Sequence, residues 1–115
     1  MKGMFQGAIS ANPDTSNWDV SNVTDMRWMF AGATSANPDT SKWNVSNVTN
    51  MAYMFYNTRL TNPNTSGWDV SNVTDMRYMF KYATSAKPDT SKWNISNETS
   101  TFNMFDDCAY TGKLL

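Results

Sequence analysis

The sequence predicts an α/β repeat fold: a solenoid of about four 25-residue coils, each a short parallel β-strand followed by a short α- or 3-10 helix. Three observations carry this. The pattern Trp-(Asp/Asn)-(Val/Ile)-Ser-Asn starts at Trp18, Trp43, Trp68 and Trp93, each 25 positions after the last. The same step links Met4-Phe5, Met29-Phe30, Met54-Phe55, Met79-Phe80 and Met104-Phe105, and also Pro13, Pro38, Pro63 and Pro88. Within each unit the apolar spacing then changes from alternation to a helical period. A unit this short cannot bury enough apolar surface to offset its own ordering entropy, so neighbouring units must supply the rest. Residues 1–115 read as a single repeat domain with partial coils at both ends, as if cut from a longer array.

Residues 13–37 show how each element is justified. Pro13-Asp14 is turn chemistry, because proline presets φ. From Thr15 to Val20, Ser16, Trp18 and Val20 point one way and Thr15, Asn17 and Asp19 the other, which predicts a half-buried strand. Equivalent strands would pair in register and stack the tryptophans. Asn22, Asn47, Asn72 and Asn97 form a column in the turn that follows. A carboxamide has donors and an acceptor, so this column reads as a structural ladder between coils. Thr24 is placed to cap a helix running to about Ala31, with Asp25 near its positive end. Gly32 stands where a left-handed terminating residue would help, although Asn57 and Tyr82 share its column. On a helical wheel Val23, Met26, Phe30 and Ala33 form one face with Met29 at its edge. Trp28, Tyr53 and Tyr78 fall away from that face and either stack between coils or are displayed.

A second period overlies the first. Asp19, Asn44, Asp69 and Asn94 alternate, as do Asn17 and Gly67 against Lys42 and Lys92, so the array repeats in 50-residue pairs. The last coil departs from the pattern with Glu98, Thr101 and Asn103 in place of valine, methionine and aromatic residues, as a water-facing terminal coil would. The opposite end should expose apolar surface and an unpaired edge, which invites end-to-end self-association.

The motif from Trp18 to Met26, with Met29-Phe30, resembles the bacterial surface-protein repeat of the BspA-like leucine-rich-repeat group. That resemblance spans residues 4 to about 109. It implies a right-handed, leucine-rich-repeat-like solenoid on exported bacterial lipoproteins or cell-wall proteins, located at the extracellular cell surface and tied to adhesion. It carries no catalytic residues.

Other functions are constrained by composition. Net charge is −1 with lysine and arginine scattered, so no basic stripe suits nucleic acid. No apolar run is long enough to span a membrane, and no secretory leader precedes the repeats. Histidine is absent, and neither an activated nucleophile nor a phosphate-cradling loop is present, so the reading is not an enzyme. No cofactor is implied. Cys108 occupies the column of Ala8, Ala33, Thr58 and Ala83 and reads as small filler. Calcium is a minor alternative, from oxygen ligands at Asp14, Asp39, Asn64 and Asp89 and in the Asp19 column. Ice binding is another, from Thr15, Thr40, Thr65 and Thr90 on the outward strand face. The favoured function is a binding or adhesion module for a protein or glycan on a host or neighbouring cell. Its candidate surfaces are Thr15, Asn17, Asp19, Thr40, Lys42, Asn44, Thr65, Asp69, Thr90, Lys92 and Asn94 on the strand face, and Trp28, Tyr53 and Tyr78 in the aromatic column. The alternative is a passive spacer that projects another domain.

Overall fold

Each repeat folds as a run of tight turns. The computed structural model describes residues 1–109; the last six positions of the expected 1–115 unit, Leu114 and Leu115 among them, lie outside the described residues. Among the described residues there is no helix and no extended strand, only isolated parallel bridges at Asp25↔Asn50, Asn50↔Asp75 and Asp75↔Ser100. The expected α/β solenoid of strand and helix is therefore overturned. The chain forms a compact body of 37 × 31 × 19 Å with a radius of gyration of 12.5 Å.

The hydrogen bonds give the physical reason. In the stretch expected to be helical, Met29, Ala31 and Ala33 donate their amides to Met26, Trp28 and Phe30, three residues back. Met26, Trp28, Phe30 and Gly32 donate instead to Asn50, Ala52, Met54 and Tyr56 of the next repeat, at 2.8–3.1 Å. A helix would bond every amide four residues back within its own segment. Here alternate amides leave the coil, and Trp28 and Gly32 sit at φ of 62° and 73°. A three-residue bond with positive φ at the third position is a type II turn, which no α-helix accommodates. Thr24, expected as a helix cap, supplies its carbonyl to the Thr49 amide and hydroxyl. Asp25 accepts from the Arg27 amide and binds its guanidinium.

The stretch expected as a strand is also turned. The Trp18 amide bonds the Thr15 carbonyl at 3.1 Å and the Val23 amide the Val20 carbonyl at 2.9 Å. Asp14 and Asp19 each accept the amide and hydroxyl of the serine two residues on. Such side-chain caps compete with ladder pairing and bend the chain.

The repeats lie against one another, and their equivalent side chains meet. Phe5, Phe30, Phe55, Phe80 and Phe105 stack with ring centroids 5.3–5.9 Å apart. Trp18, Trp43, Trp68 and Trp93 form a parallel column at 6.4–6.5 Å. Met26, Met51 and Met76 fill the core beside Met29, Met54 and Met79, all at 0% exposure. Met29, expected at the edge, is thus central, since successive turns aim it inward. The polar ladders run opposite to the amides of the 26–33 corner. Asn47 and Asn72 donate to the carbonyls of Ser21 and Ser46 in the preceding repeat, both at 2.7 Å. The Trp43, Trp68 and Trp93 indoles donate backward to Thr15, Thr40 and Thr65 at 3.0 Å.

Candidate functional site

The polar face is built by serine-capped turns, two in each of the repeats of Trp18, Trp43 and Trp68 and one, at Asp89–Ser91, in that of Trp93. Between them, Thr15, Trp18 and Val20 turn inward, whereas residues 17 and 19 and their equivalents stay exposed. Exposed on this face are Asn17, Lys42, Gly67 and Lys92 in one column and Asp19, Asn44, Asp69 and Asn94 in the next. The threonines expected here are not on it. Thr15, Thr40 and Thr65 are fully buried and Thr90 is 8% exposed. Thr15 and Thr65 donate into the next repeat, to the carbonyls of Asp39 and Asp89. Polar side chains can serve the core when a neighbouring backbone accepts them, and alternation along a strand cannot reveal that. An ice-facing threonine plane is thereby ruled out for this column.

Gly67 breaks the column that otherwise carries asparagine or lysine. A Cβ there would meet only the Ser41 carbonyl, at 4.0 Å. The space left open is a cavity of about 340 Å³ lined by Ser66, Gly67, Trp68, Asp69, Val70, Lys92 and Asn94. Trp68 is sandwiched between Trp43 and Trp93, so its edge rather than a ring face borders the cavity. The lining chemistry is mixed in sign. The Ser71 hydroxyl, then its amide, holds the Asp69 carboxyl below the ordinary carboxylate value, and Ser21 does the same for Asp19. Both therefore carry negative charge at neutral pH. The ion pairs among the described residues are Arg27–Asp25 and Arg77–Asp75, so neither Lys42 nor Lys92 closes an ion pair among them, although Asp39 and Asp89 stand within electrostatic reach. Asn44 caps Ser46, but Asn94 makes no equivalent bond among the described residues, which leaves its carboxamide facing the cavity.

The aromatic column is a different surface. Trp28 stacks on Tyr53 at 3.8 Å and Tyr53 on Tyr78 at 4.7 Å, with all three half-buried. Tyr53 spends both faces on its neighbours, and the Lys81 ammonium lies 5.3 Å from the Tyr78 ring centre, so Trp28 alone stacks on one face. A sugar stacking on an aromatic uses the face, which makes this column the weaker candidate. The sequence reading missed why these rings stand where they do. Positions 3, 28, 53, 78 and 103 all have positive φ, as do 7, 32, 57, 82 and 107. The signal was present: Gly3 and Asn103 in one column, and Gly7, Gly32, Asn57 and Asp107 in the other, are residues that tolerate that conformation. A second ladder was also missed. The side-chain carbonyls of Asn12, Asn37 and Asn62 accept the amides of Asn37, Asn62 and Lys87, at 2.9–3.1 Å. Of the ladder that was expected, Asn47 and Asn72 make the bridge, whereas Asn22 and Asn97 do not among the described residues.

The carboxylates considered for calcium are occupied as turn caps. Asp14, Asp39 and Asp89 bind Ser16, Ser41 and Ser91, and Asn64 binds Ser66. Among the described residues no three His, Cys, Asp or Glu side chains converge to hold a metal ion. No helix is long and apolar enough to cross a membrane among them. Cys108 packs against the core and donates to the Ala86 carbonyl at 3.3 Å.

A family model described as "Mycoplasma protein of unknown function, DUF285" matches residues 1–114. No curated protein and no solved structure matches the chain. The matching family corrects the resemblance to the BspA-like leucine-rich-repeat group, and the turn-built backbone agrees with that correction. With the resemblance goes the argument for cell-surface adhesion that rested on it.

Proposed function

The chain belongs to the DUF285 family, described only as a Mycoplasma protein of unknown function, and from its geometry we propose that it is a non-enzymatic binding module. The polar face holds the partner, a protein or a glycan, through exposed groups that the fold leaves unspent. The observation that carries this reading is the cavity over Gly67, where Lys92, Asn94 and Asp69 converge beside the edge of Trp68. Lys92 and Asn94 make no ion pair or turn cap among the described residues, and they converge here on the Asp69 carboxylate, so the cluster offers donors and acceptors to a ligand. Gly67→Lys tests the reading. It restores a lysine to the column and fills the cavity, while exposure and open space at that position leave the fold intact. On peptide and glycan arrays the substituted chain should lose at least about tenfold in binding. Equal binding by both chains would refute the site, and no binding by either would favour the passive spacer.

A further inference from the structure

The charges on this face follow a rule that the cavity alone does not explain. One charged side chain per repeat stands in the two exposed columns: Asp19, Lys42, Asp69 and Lys92, reading minus, plus, minus, plus along the stack. The equivalents of the lysines in the aspartate repeats are Asn17 and Gly67, and the equivalents of the aspartates in the lysine repeats are Asn44 and Asn94. A row of this kind is self-complementary when reversed, because it then reads plus, minus, plus, minus. We propose that the partner of this face is a second copy of the chain, placed antiparallel about a two-fold axis, with Lys42 of each copy entering the cavity over Gly67 of the other. The inference rests on the binding face proposed above and names its occupant.

Charge and shape give the same register. The antiparallel arrangement sets the Asp19 repeat against the Lys92 repeat and the Lys42 repeat against the Asp69 repeat, so all four charged positions meet the opposite sign. A parallel arrangement in register would set each repeat against its own like and is repulsive throughout. The lysine at 42 then lies opposite the repeat whose equivalent residue is glycine. A protruding side chain meets a gap of about 340 Å³ lined by Asp69 and Asn94 and also by Lys92, whose charge the second copy's Asp19 offsets in this register. Symmetry makes this contact twice, as an isologous interface requires. Serine caps keep Asp19 and Asp69 ionised, while Lys42 and Lys92 have no ion pair among the described residues. Asp14, Asp39 and Asp89 stand on the adjoining corner. Asp39 and Asp89 feel Lys42 and Lys92 through space without an ion pair among the described residues, and both lysines are exposed. The alternation comes from the 50-residue period and does not depend on where the chain starts or stops. Solvent-exposed pairs are individually weak and screened by salt, so the pairing is dynamic and its register is set by sign more than by strength.

Charge reversal in two complementary chains tests this directly. K42E/K92E makes the row wholly acidic, and D19K/D69K makes it wholly basic; all four positions are exposed, and circular dichroism verifies the fold of each. In sedimentation equilibrium the wild-type chain should self-associate at low ionic strength and dissociate in molar salt. Each substituted chain alone should be monomeric. An equimolar mixture of the two should associate at least about tenfold more tightly than either alone. A wild-type chain that stays monomeric at low salt overturns the proposal, and so does a K42E/K92E chain that still associates, which would indicate end-to-end contact instead. A monomeric wild type whose array binding is lost in G67K sinks this inference and leaves the binding module standing. Association without any array ligand narrows the partner to the second copy.

Discussion

The second repeat and the last share one plan and differ in what neighbours them. Trp43 is buried and Trp93 is half-exposed; Met51 is buried where Thr101 is half-exposed; Tyr53 stacks on both sides where Asn103 has no ring to offer. The Asn47 amide bridges to Ser21, whereas Asn97 makes no such bridge among the described residues, and Thr99 reaches to the Val73 carbonyl instead. In the interior, each side chain has a copy of itself above and below. The repeat that begins at Trp93 instead carries Glu98, Thr101 and Asn103 in columns that hold valine, methionine and aromatic residues in the repeats before it. Stability in this fold is thus a property of neighbours more than of the repeat itself.

That contrast can be broken most visibly at the phenylalanine column. Phe55 is fully buried between Phe30 and Phe80, and Phe55→Ala should cost about 3–5 kcal/mol in urea unfolding. Phe105→Ala, in the half-buried last member, should cost roughly half of that or less. Equal losses would show that the two repeats are equally packed after all. A reciprocal exchange sharpens the point. Met51→Thr removes buried volume and inserts a hydroxyl, for an expected loss of about 2–4 kcal/mol. Thr101→Met in the last repeat should change the unfolding midpoint little and in the stabilising direction. The smallest effect concerns the turn caps. Asp14, Asp39 and Asp89 have carboxyls held below the ordinary value of 3.8 by their serines. A depressed folded value stabilises above the unfolded value and is lost as pH falls through the folded one, so acid should weaken the fold progressively from about pH 4 downward. Asn64 makes the same cap without titrating. Replacing Asp14, Asp39 and Asp89 by Asn should therefore flatten the acid limb of a thermal-melt series while changing the melting temperature at neutral pH by very little.

How much of this was legible in the sequence depends on the level asked about. The tandem period named the side chains that would meet: the 25-spaced tryptophans and phenylalanines do stack. It did not name the backbone that brings them there. Spacings of three and four between Met26, Met29, Phe30 and Ala33 arise on a helix, and successive three-residue turns produce them too. The discriminating residues were Gly3, Gly7 and Gly32 in columns otherwise held by aromatics, asparagine and Asp107, because one glycine or asparagine in a column reports the φ of every member. Trp28, Tyr53 and Tyr78 adopt that conformation without the residue types that advertise it; each pays in backbone strain and is offset by stacking on its neighbours and by an amide bond to the next repeat. The polar face was half legible. Columns 17 and 19 are exposed as alternation predicts, but Thr15, Thr40 and Thr65 were assigned to the wrong side. Thr15 and Thr65 donate to backbone carbonyls of another repeat, and those are invisible to a single-segment pattern. The cavity depends on one missing side chain, Gly67, and gains meaning only from what surrounds it in space.

The opposed directions of the inter-repeat bonds have one more consequence. Between the repeats of Trp18 and Trp43, the four backbone amides of Met26, Trp28, Phe30 and Gly32 point toward the following repeat, while the Thr49, Asn37, indole and Asn47 donors point toward the preceding one. Peptide dipoles aligned along one axis would add up with length, as they do in a helix, and leave growing partial charges at the two extremities. Here backward donors oppose the forward amides and offset part of their sum. Each added layer therefore contributes less electrical polarity than the same number of aligned peptides would in a helix.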